Sequence, residues 1–149
     1  MLATACHNEF SWLLIDADGA VGVFMVAGTG YVPDALLQLG VQGIKSFNQE
    51  VLNALVDAPN PSRSSGEQVW IDGYEDRLCE KGLFVFDWDE AQFQRVRSPK
   101  RPVCASDLRS LLAPFAEGIP TAQIRLKDCA FIDVRMIIPC RRKGDVPFG

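Results

Sequence analysis

Two carboxylates in the middle of the chain, Asp87 and Asp89, have the spacing that acid–base or metal chemistry requires. Alternation along an extended strand places them on one face, where they could share a proton or bind a divalent cation. No histidine accompanies the pair, and hard cations need several oxygen ligands, so we predict no metal and no cofactor. A pocket that combines this pair with Trp12, Trp70 or Trp88 is the enzymatic alternative, a small-ligand-binding or hydrolytic domain.

The same stretch has the composition of a protein-binding surface. Acidic residues outnumber basic ones and alternate with aromatic side chains, and Trp and Tyr at a charged rim often anchor protein interfaces. Such a surface suits a basic partner protein and repels nucleic acid. The predicted partner-binding residues are Asp72, Tyr74, Glu75, Asp76, Glu80, Asp87, Trp88, Asp89 and Glu90. The alternative is a solvated face that covers aromatic residues of the core.

Other motifs that could carry out catalysis or bind calcium are incomplete. The only histidine, His7, lies beside Cys6 near the amino terminus, whereas a nucleophilic pair needs rigid positioning. Asp16 and Asp18 lack the ligand spacing of a calcium loop because Gly19 follows at once, and Asp-Gly between apolar runs instead predicts a hairpin turn. We therefore predict a non-enzymatic protein with no catalytic residue.

The net charge of −4 conceals a strong asymmetry. Residues 1–94 contain 4 Lys or Arg and 14 Asp or Glu, whereas residues 95–149 contain 11 and 5. If the strands of the second part are neighbours, one sheet face becomes basic through Arg95, Arg97, Arg125, Lys127 and Arg135. Such a face could bind nucleic acid, but no RNA-recognition signature or aromatic stacking run accompanies it. Neutralisation of the acidic half, or a second contact surface, is the favoured interpretation.

Cysteine usage and hydropathy predict where the protein resides. The five cysteines are odd in number, widely spaced and without a C-x-x-C pair, which favours free, buried thiols in a reducing cytoplasm. No export signal is recognisable, because too few apolar residues precede Cys6. The longest apolar tract, residues 20–30, is interrupted by glycines and is shorter than the roughly 20 residues of a membrane span. We predict a cytoplasmic protein without membrane contact.

The elements that must position these residues are predicted from hydrophobic periodicity and turn residues. Strands are predicted over residues 10–15, 20–26, 83–88, 93–97, 122–126 and 131–138. Helices are predicted over residues 34–39, 46–57 and within 72–81, and from Ser106 towards Pro114, with Ser46 and Ser106 as N-caps. Because the first two strands are apolar on both faces, we expect them to be central in the sheet, with helices packed over them.

The length of 149 residues fits a single globular domain, residues 1–149, with loose termini over 1–7 and 141–149. Residues 59–66, rich in Pro and Ser, are predicted to form a surface loop. Local hairpins and few intervening helices predict the α+β class, with a mostly antiparallel sheet of about six strands and two to four helices packed on it.

Several segments of the chain resemble a group of small, mostly uncharacterised bacterial proteins. The resemblance is carried by residues 12–24, by Gly28, Gly30 and Pro33, and by residues 82–88, 101–103 and 107–108. Some small acidic α+β proteins of this kind are immunity proteins of polymorphic or contact-delivered toxin systems. The resemblance implies that the chain neutralises a cognate toxin by stoichiometric binding, and it supplies no catalytic residue.

Overall fold

Two sheets and several short helices make up the part of the chain that the structure, a computed structural model, describes: residues 10–26, 30–56 and 69–145. The strands are β1 (Phe10–Ile15), β2 (Val21–Val26), β3 (Tyr31–Pro33), β4 (Phe84–Asp89), β5 (Gln92–Arg97), β6 (Phe131–Ile132) and β7 (Cys140–Arg142). The α-helices are α1 (Asp34–Leu37), α2 (Gly40–Ser46), α3 (Asn53–Val56), α4 (Val69–Glu80) and α5 (Arg109–Leu112), and a π-helical segment, Phe47–Leu52, joins α2 to α3. Short 3-10 helices span Ala105–Leu108, Ala113–Gly118, Leu126–Asp128, Val134–Met136 and Lys143–Asp145. The fold is therefore α+β, as predicted.

Some predictions fall on other parts of the chain. The surface loop 59–66 and the terminal segments 1–7 and 146–149 lie outside the described residues. Among the helices that are described, none is long and apolar enough to cross a membrane.

The β1–β2 hairpin forms as predicted. Its strands pair antiparallel, from Phe10 opposite Val26 to Ile15 opposite Val21. Gly19 takes a φ of +83° in the turn, a conformation that costs glycine little because it has no Cβ.

The larger sheet has five strands in the order β1-β2-β4-β5-β6 and is mostly antiparallel; β2 and β4 run parallel. The prediction that β1 is central is wrong, because β1 lies at an edge. Several of its outer backbone groups nevertheless have partners. Ile15 donates its N–H to Pro120 O (3.0 Å) and accepts from Ala122 N–H (3.0 Å), and Ser11 N–H donates to Asn48 Oδ1 (3.2 Å). An apolar edge strand is thereby covered, which limits its pairing with other chains.

A column of aromatic rings crosses one face of this sheet. Trp12 stacks on its register partner Phe24 (4.4 Å between centroids, 8° between planes), and Phe24 stacks on its own partner Phe86 (4.7 Å, 4°). Phe93 packs edge-on against Trp12 and Phe24. Each such pair contributes about 0.5–1.5 kcal/mol beyond its buried area, so this column fixes how β1, β2, β4 and β5 lie beside one another.

The helical region differs from the prediction at its start. Ser46 does not cap a helix: it has helical φ and ψ (−62°, −41°), its side chain makes no capping hydrogen bond, and α2 already begins at Gly40. The reason is that Gly40, with a φ of +73°, ends the α1 turn and lets the chain resume a helix immediately. The predicted apolar face is buried through Phe47, Val51, Leu52 and Leu55.

Helix α4 ends at the glycine that the sequence predicted. Gly82 has a φ of +96°, and its N–H donates to Cys79 O (2.9 Å) while Leu83 N–H donates to Leu78 O (3.1 Å). This pair of bonds is a Schellman motif, which turns the chain sharply into β4. A Cβ at Gly82 would lie 2.6 Å from Val103 N, so the close approach also requires glycine.

The predicted helix at Ser106 is shorter and more irregular. Cys104, not Ser106, is the N-cap of the 3-10 helix Ala105–Leu108, and α5 follows it for one turn. The chain then continues as a 3-10 helix with Pro114 near its start, as expected where proline cannot donate an N–H.

The two strands predicted in the last third are largely wrong. Residues 122–126 form no named strand, and within 131–138 only β6 is a strand. The reason is that the pairing of residues 121–126 with β1 is limited to an isolated bridge between Ile15 and Thr121, and side chains satisfy further backbone groups of this segment. The buried carboxylate of Asp16 accepts Leu126 N–H (2.8 Å), and Arg95 Nη1 donates to the carbonyls of Leu126, Lys127 and Cys129 (2.9, 2.9 and 3.1 Å).

The segment after residue 140, predicted to be loose, instead starts with a strand. β7 pairs antiparallel with β3, with Tyr31 opposite Arg142 and Pro33 opposite Cys140. The 3-10 helix Lys143–Asp145 follows, and Lys143 N–H donates to Gly30 O (2.7 Å). The basic residues near this end are therefore held beside β3.

Candidate functional site

The predicted partner-binding residues divide between a helix and a hairpin. Asp72, Tyr74, Glu75, Asp76 and Glu80 belong to α4, whereas Asp87, Trp88, Asp89 and Glu90 belong to the β4–β5 hairpin. The backbone of Asp72 lies in α4, but its side chain is outside the described part of the structure. The two groups have different surroundings and are best considered separately.

The acids of α4 are paired with a cation from the basic part of the chain. Arg97 at the end of β5 lies 2.7 Å from Asp76 Oδ1 through Nε and 3.6 Å from Glu75 Oε1 through Nη2. The hydrogen bond from Arg97 to Asp76 raises the pKa of the guanidinium. These two acids therefore share one cation within the molecule, which offsets part of their charge, while Glu80, one turn further along, is exposed.

Tyr74 is directed towards the core. It is partly buried against the core, and its side chain forms a hydrogen bond with that of Ser11. Burial raises the pKa of its phenol, and the hydrogen bond with Ser11 opposes that shift. Tyr74 thus fits the alternative interpretation of an aromatic residue beneath a solvated face.

The acids of the β4–β5 hairpin have no such counter-ion among the described residues. Asp89 and Glu90 are exposed and Asp87 is partly buried. Within the described residues, no Lys, Arg or His nitrogen lies within 4.0 Å of the carboxylates of Asp87, Asp89 or Glu90. We call these three residues the acidic tip. It holds negative charge that the described part of the fold does not neutralise.

The acidic tip is held in a defined shape. Asp89 pairs with Gln92 across the hairpin, and Ala91 N–H donates to Asp89 O. Glu90 has a φ of +54°, a left-handed conformation that disfavours residues other than glycine. Asp87 Oδ1 accepts the N–H of Trp88 (2.9 Å), which orients that carboxylate.

Trp88 is turned inward, away from the carboxylates. Side chains alternate along β4, so Trp88 projects from the face opposite Asp87 and Asp89. Its ring packs edge-on against Tyr31 (5.6 Å) and Phe93 (5.1 Å), and its indole Nε1 is buried without a hydrogen-bond partner among the described residues. Trp88 therefore supports the tip from behind.

The enzymatic alternative requires the carboxylate pair and the tryptophans to line one pocket. Trp12 is fully buried in the aromatic column, on the same side of the sheet as Trp88, so neither ring meets Asp87 or Asp89. The side chain of Trp70, like residues Cys6 and His7, lies outside what the structure describes. Among the described residues, no group of three or more His, Cys, Asp or Glu side chains could hold a metal ion.

The arginines predicted to form a basic sheet face do not act together. Arg95 binds backbone carbonyls, and Arg97 binds the acids of α4. Arg125 lies 3.6 Å from Asp18, and Arg135 is paired with Asp133. Arg97 and Arg125 fit the favoured interpretation, because both pair with acids of the first part of the chain.

The cysteines that the structure describes, Cys79, Cys104, Cys129 and Cys140, are free thiols. The prediction that they are buried is wrong for Cys104, which is exposed, and the other three are only partly buried. The hydroxyl of Ser106 donates to Cys104 Sγ (3.3 Å) and lowers the pKa of that thiol, whereas burial raises the pKa of the other three.

A cluster of side chains around Tyr31 was not predicted from the sequence. The guanidinium carbons of Arg135 and Arg142 lie 5.2 Å and 5.9 Å from the centroid of its ring. Tyr31 and Arg135 are 104 residues apart in the chain. The only sequence signal was the excess of arginine near the end, which does not identify an aromatic partner.

Comparison of the chain with family models, curated proteins and solved structures finds no match. Membership of the immunity-protein group therefore stays a prediction drawn from the resemblance. The geometry of the acidic tip is the remaining basis for assigning a function.

Proposed function

We propose that this chain is a protein-binding module that engages a basic partner protein through the acidic tip. The partner would be a cognate bacterial toxin, whose active site the module occludes in the cytoplasm in the manner of an immunity protein. The observation that carries the proposal is the gathering of Asp87, Asp89 and Glu90 on one hairpin without a neutralising cation among the described residues.

The charge pattern gives a physical reason for such a role. Uncompensated carboxylates at an exposed hairpin attract a positively charged surface and accelerate its association, an effect that salt weakens. A nuclease or another enzyme that acts on a polyanion has a basic cleft, and an acidic hairpin fits that chemistry. Binding would be stoichiometric and would need no reaction by the module itself.

The rigidity of the hairpin also supports binding. Trp88 and Phe93 pack behind the tip, which restricts the conformations open to its backbone. A preorganised contact surface loses less conformational entropy on binding than a flexible one. The backbone of Glu90 is left-handed, a conformation in which glycine would be less strained. Strained residues of this kind are concentrated at functional sites.

The proposed contact surface is smaller than the partner-binding surface predicted from the sequence. Glu75 and Asp76 are engaged by Arg97, and Tyr74 is hydrogen-bonded to Ser11, so none of them is needed at the contact. Glu80 is exposed and could contribute at the margin. The acidic tip itself is the expected centre.

Co-expression tests the function directly. The native host's toxin candidate, a basic protein that forms a 1:1 complex with this chain, is expressed with wild-type protein or with the triple variant Asp87→Asn, Asp89→Asn, Glu90→Gln. We expect wild type to restore growth and the triple variant to fail. Glu117→Gln, at an exposed acid on another surface, is the matched control and should protect like wild type. Equal protection by the triple variant would refute a role for the tip, and absence of any toxic partner would refute the immunity function.

A further inference from the structure

The Tyr31 cluster consists of one aromatic ring and two arginines brought together by the smaller sheet. Tyr31 lies on β3, and Arg142 is its register partner on β7. Arg135 reaches the ring from the 3-10 helix Val134–Met136. Both guanidiniums lie within the range of cation–π attraction to the ring.

Arg135 is held in place and its charge is balanced. Its Nε and Nη2 donate to the two carboxylate oxygens of Asp133 (2.9 and 2.7 Å), and its Nη1 donates to Tyr31 Oη (3.3 Å). The hydrogen bond from Arg135 lowers the pKa of Asp133, so the pair stays ionised. The Arg135–Asp133 ion pair, which has no net charge, therefore holds Arg135 Nη1 against the tyrosine hydroxyl.

Two hydrogen-bond donors of the cluster are left for a ligand. Tyr31 Oη accepts from Arg135, so its own proton is free to point outward. Arg142 is exposed, and no carboxylate of the described residues lies within 4.0 Å of it. A hydroxyl proton and a planar guanidinium on one ring match the two oxygens of a carboxylate.

We propose that Tyr31 and Arg142 form a binding point for a single carboxylate, supplied by an Asp or Glu side chain of a protein partner. The charge balance favours this ligand, because the Arg135–Asp133 pair is neutral and only Arg142 contributes a net positive charge. A phosphate dianion would exceed that charge and would approach Asp133. Met136, beside Arg135 in the chain and 80% exposed, adds the apolar surface common in protein interfaces.

This inference is independent of the proposed function, because it uses no residue of the acidic tip. The two can fail separately. Loss of toxin neutralisation in the tip variant leaves carboxylate binding untouched, and loss of carboxylate binding leaves the tip intact.

An NMR titration of the full chain tests the binding point. The probes are a short peptide with one glutamate, its glutamine counterpart, and inorganic phosphate, each at low salt. We expect saturable shifts only with the glutamate peptide, at the amides of Tyr31 and Arg142 and at the Trp12 indole, which donates to Tyr31 O (3.1 Å). Arg142→Gln should weaken binding about tenfold, because a charge-assisted hydrogen bond is lost. Tyr31→Phe should weaken it less, since the ring and its packing remain.

Arg109→Gln, at an exposed arginine on α5, is the control and should bind the glutamate peptide like wild type. Absence of binding, equal shifts with the glutamine peptide, or unchanged affinity in Arg142→Gln would overturn the proposal. Tighter binding of phosphate than of the glutamate peptide would overturn the assignment to a carboxylate.

Discussion

The two hairpins of the larger sheet both have acidic turns, but the fold uses the acids of only one. At the β1–β2 turn, Asp16 is buried and its carboxylate accepts N–H bonds from Asp18, Ala20 and Leu126 (2.9, 2.8 and 2.8 Å). At the β4–β5 turn, Asp89 and Glu90 of the acidic tip are exposed, Asp87 is partly buried, and no cation of the described residues lies beside the three carboxylates.

The two turns also differ in the type of residue that takes a positive φ. Each places one residue at positive φ, Gly19 in the first hairpin and Glu90 in the second. Glycine takes that conformation at little cost, whereas glutamate does not. The first turn is therefore built for stability, and the second keeps charge at the expense of stability. This contrast teaches that the number of acids in a turn does not reveal their purpose, whereas their hydrogen-bond partners do.

Removing the acid from each turn should separate the two roles most strongly. Asp16→Ala leaves three N–H groups without their acceptor, one of them buried, and should lower the free energy of unfolding by about 3 kcal/mol. Asp89→Ala should change it by less than about 0.5 kcal/mol, because that side chain is exposed. Urea denaturation of both variants measures the difference, and equal destabilisation would remove the contrast.

Exchanging the positive-φ residues should move stability in opposite directions. Gly19→Ala should destabilise the protein by about 1–2 kcal/mol, since alanine is strained at that φ and its Cβ would lie 3.1 Å from Cys104 Sγ. Glu90→Gly should stabilise it by roughly 0.5–1 kcal/mol while weakening partner binding. Thermal unfolding gives the sign of each change; a destabilised Glu90→Gly would mean that the tip is not strained.

The acids of α4 give an intermediate case. Arg97→Gln removes their counter-ion, but the pair is exposed, so the unfolding free energy should fall by less than about 1 kcal/mol. Raising the salt concentration should shrink this effect further. A larger loss in chemical denaturation would show that this ion pair holds α4 on the sheet.

The reactivity of the thiols should differ between Cys104, which lies beside the first hairpin, and the other three described cysteines. The backbone of Cys104 pairs with that of Ala20 in an isolated antiparallel β-bridge, so this thiol lies next to the first hairpin. Its lowered pKa keeps more thiolate present as the pH falls. Cys79, Cys129 and Cys140, with raised pKa values, should need higher pH to react. Alkylation followed by peptide mass mapping across the neutral range should modify Cys104 first. Faster modification of any of the other three would contradict the assigned surroundings.

Local signals in the sequence were enough for both hairpins and for the end of α4. Asp-Gly at 18–19 and Gly82 are turn residues whose effect does not depend on distant parts of the chain. The irregular course of residues 122–130 could not be predicted, because it depends on Asp16, 110 residues away from Leu126 in sequence.

The candidate site was predictable in composition but not in arrangement. The sequence grouped the acids of α4 with those of the hairpin because they are close along the chain. Their separation depends on Arg97, which reaches Asp76 across 21 residues. The inward orientation of Trp88 follows from strand alternation combined with the position of Tyr31, which only the assembled sheets define.

The affinity of the acidic tip for a basic partner tests the proposed binding role most directly. Binding of the purified partner to wild-type chain and to the Asp87→Asn, Asp89→Asn, Glu90→Gln variant should be measured by calorimetry at low and at physiological salt. We expect the variant to bind at least about tenfold more weakly at low salt and to have a smaller salt dependence, because its charges at the contact are gone. Equal affinity and equal salt dependence of the two proteins would contradict the proposed binding role.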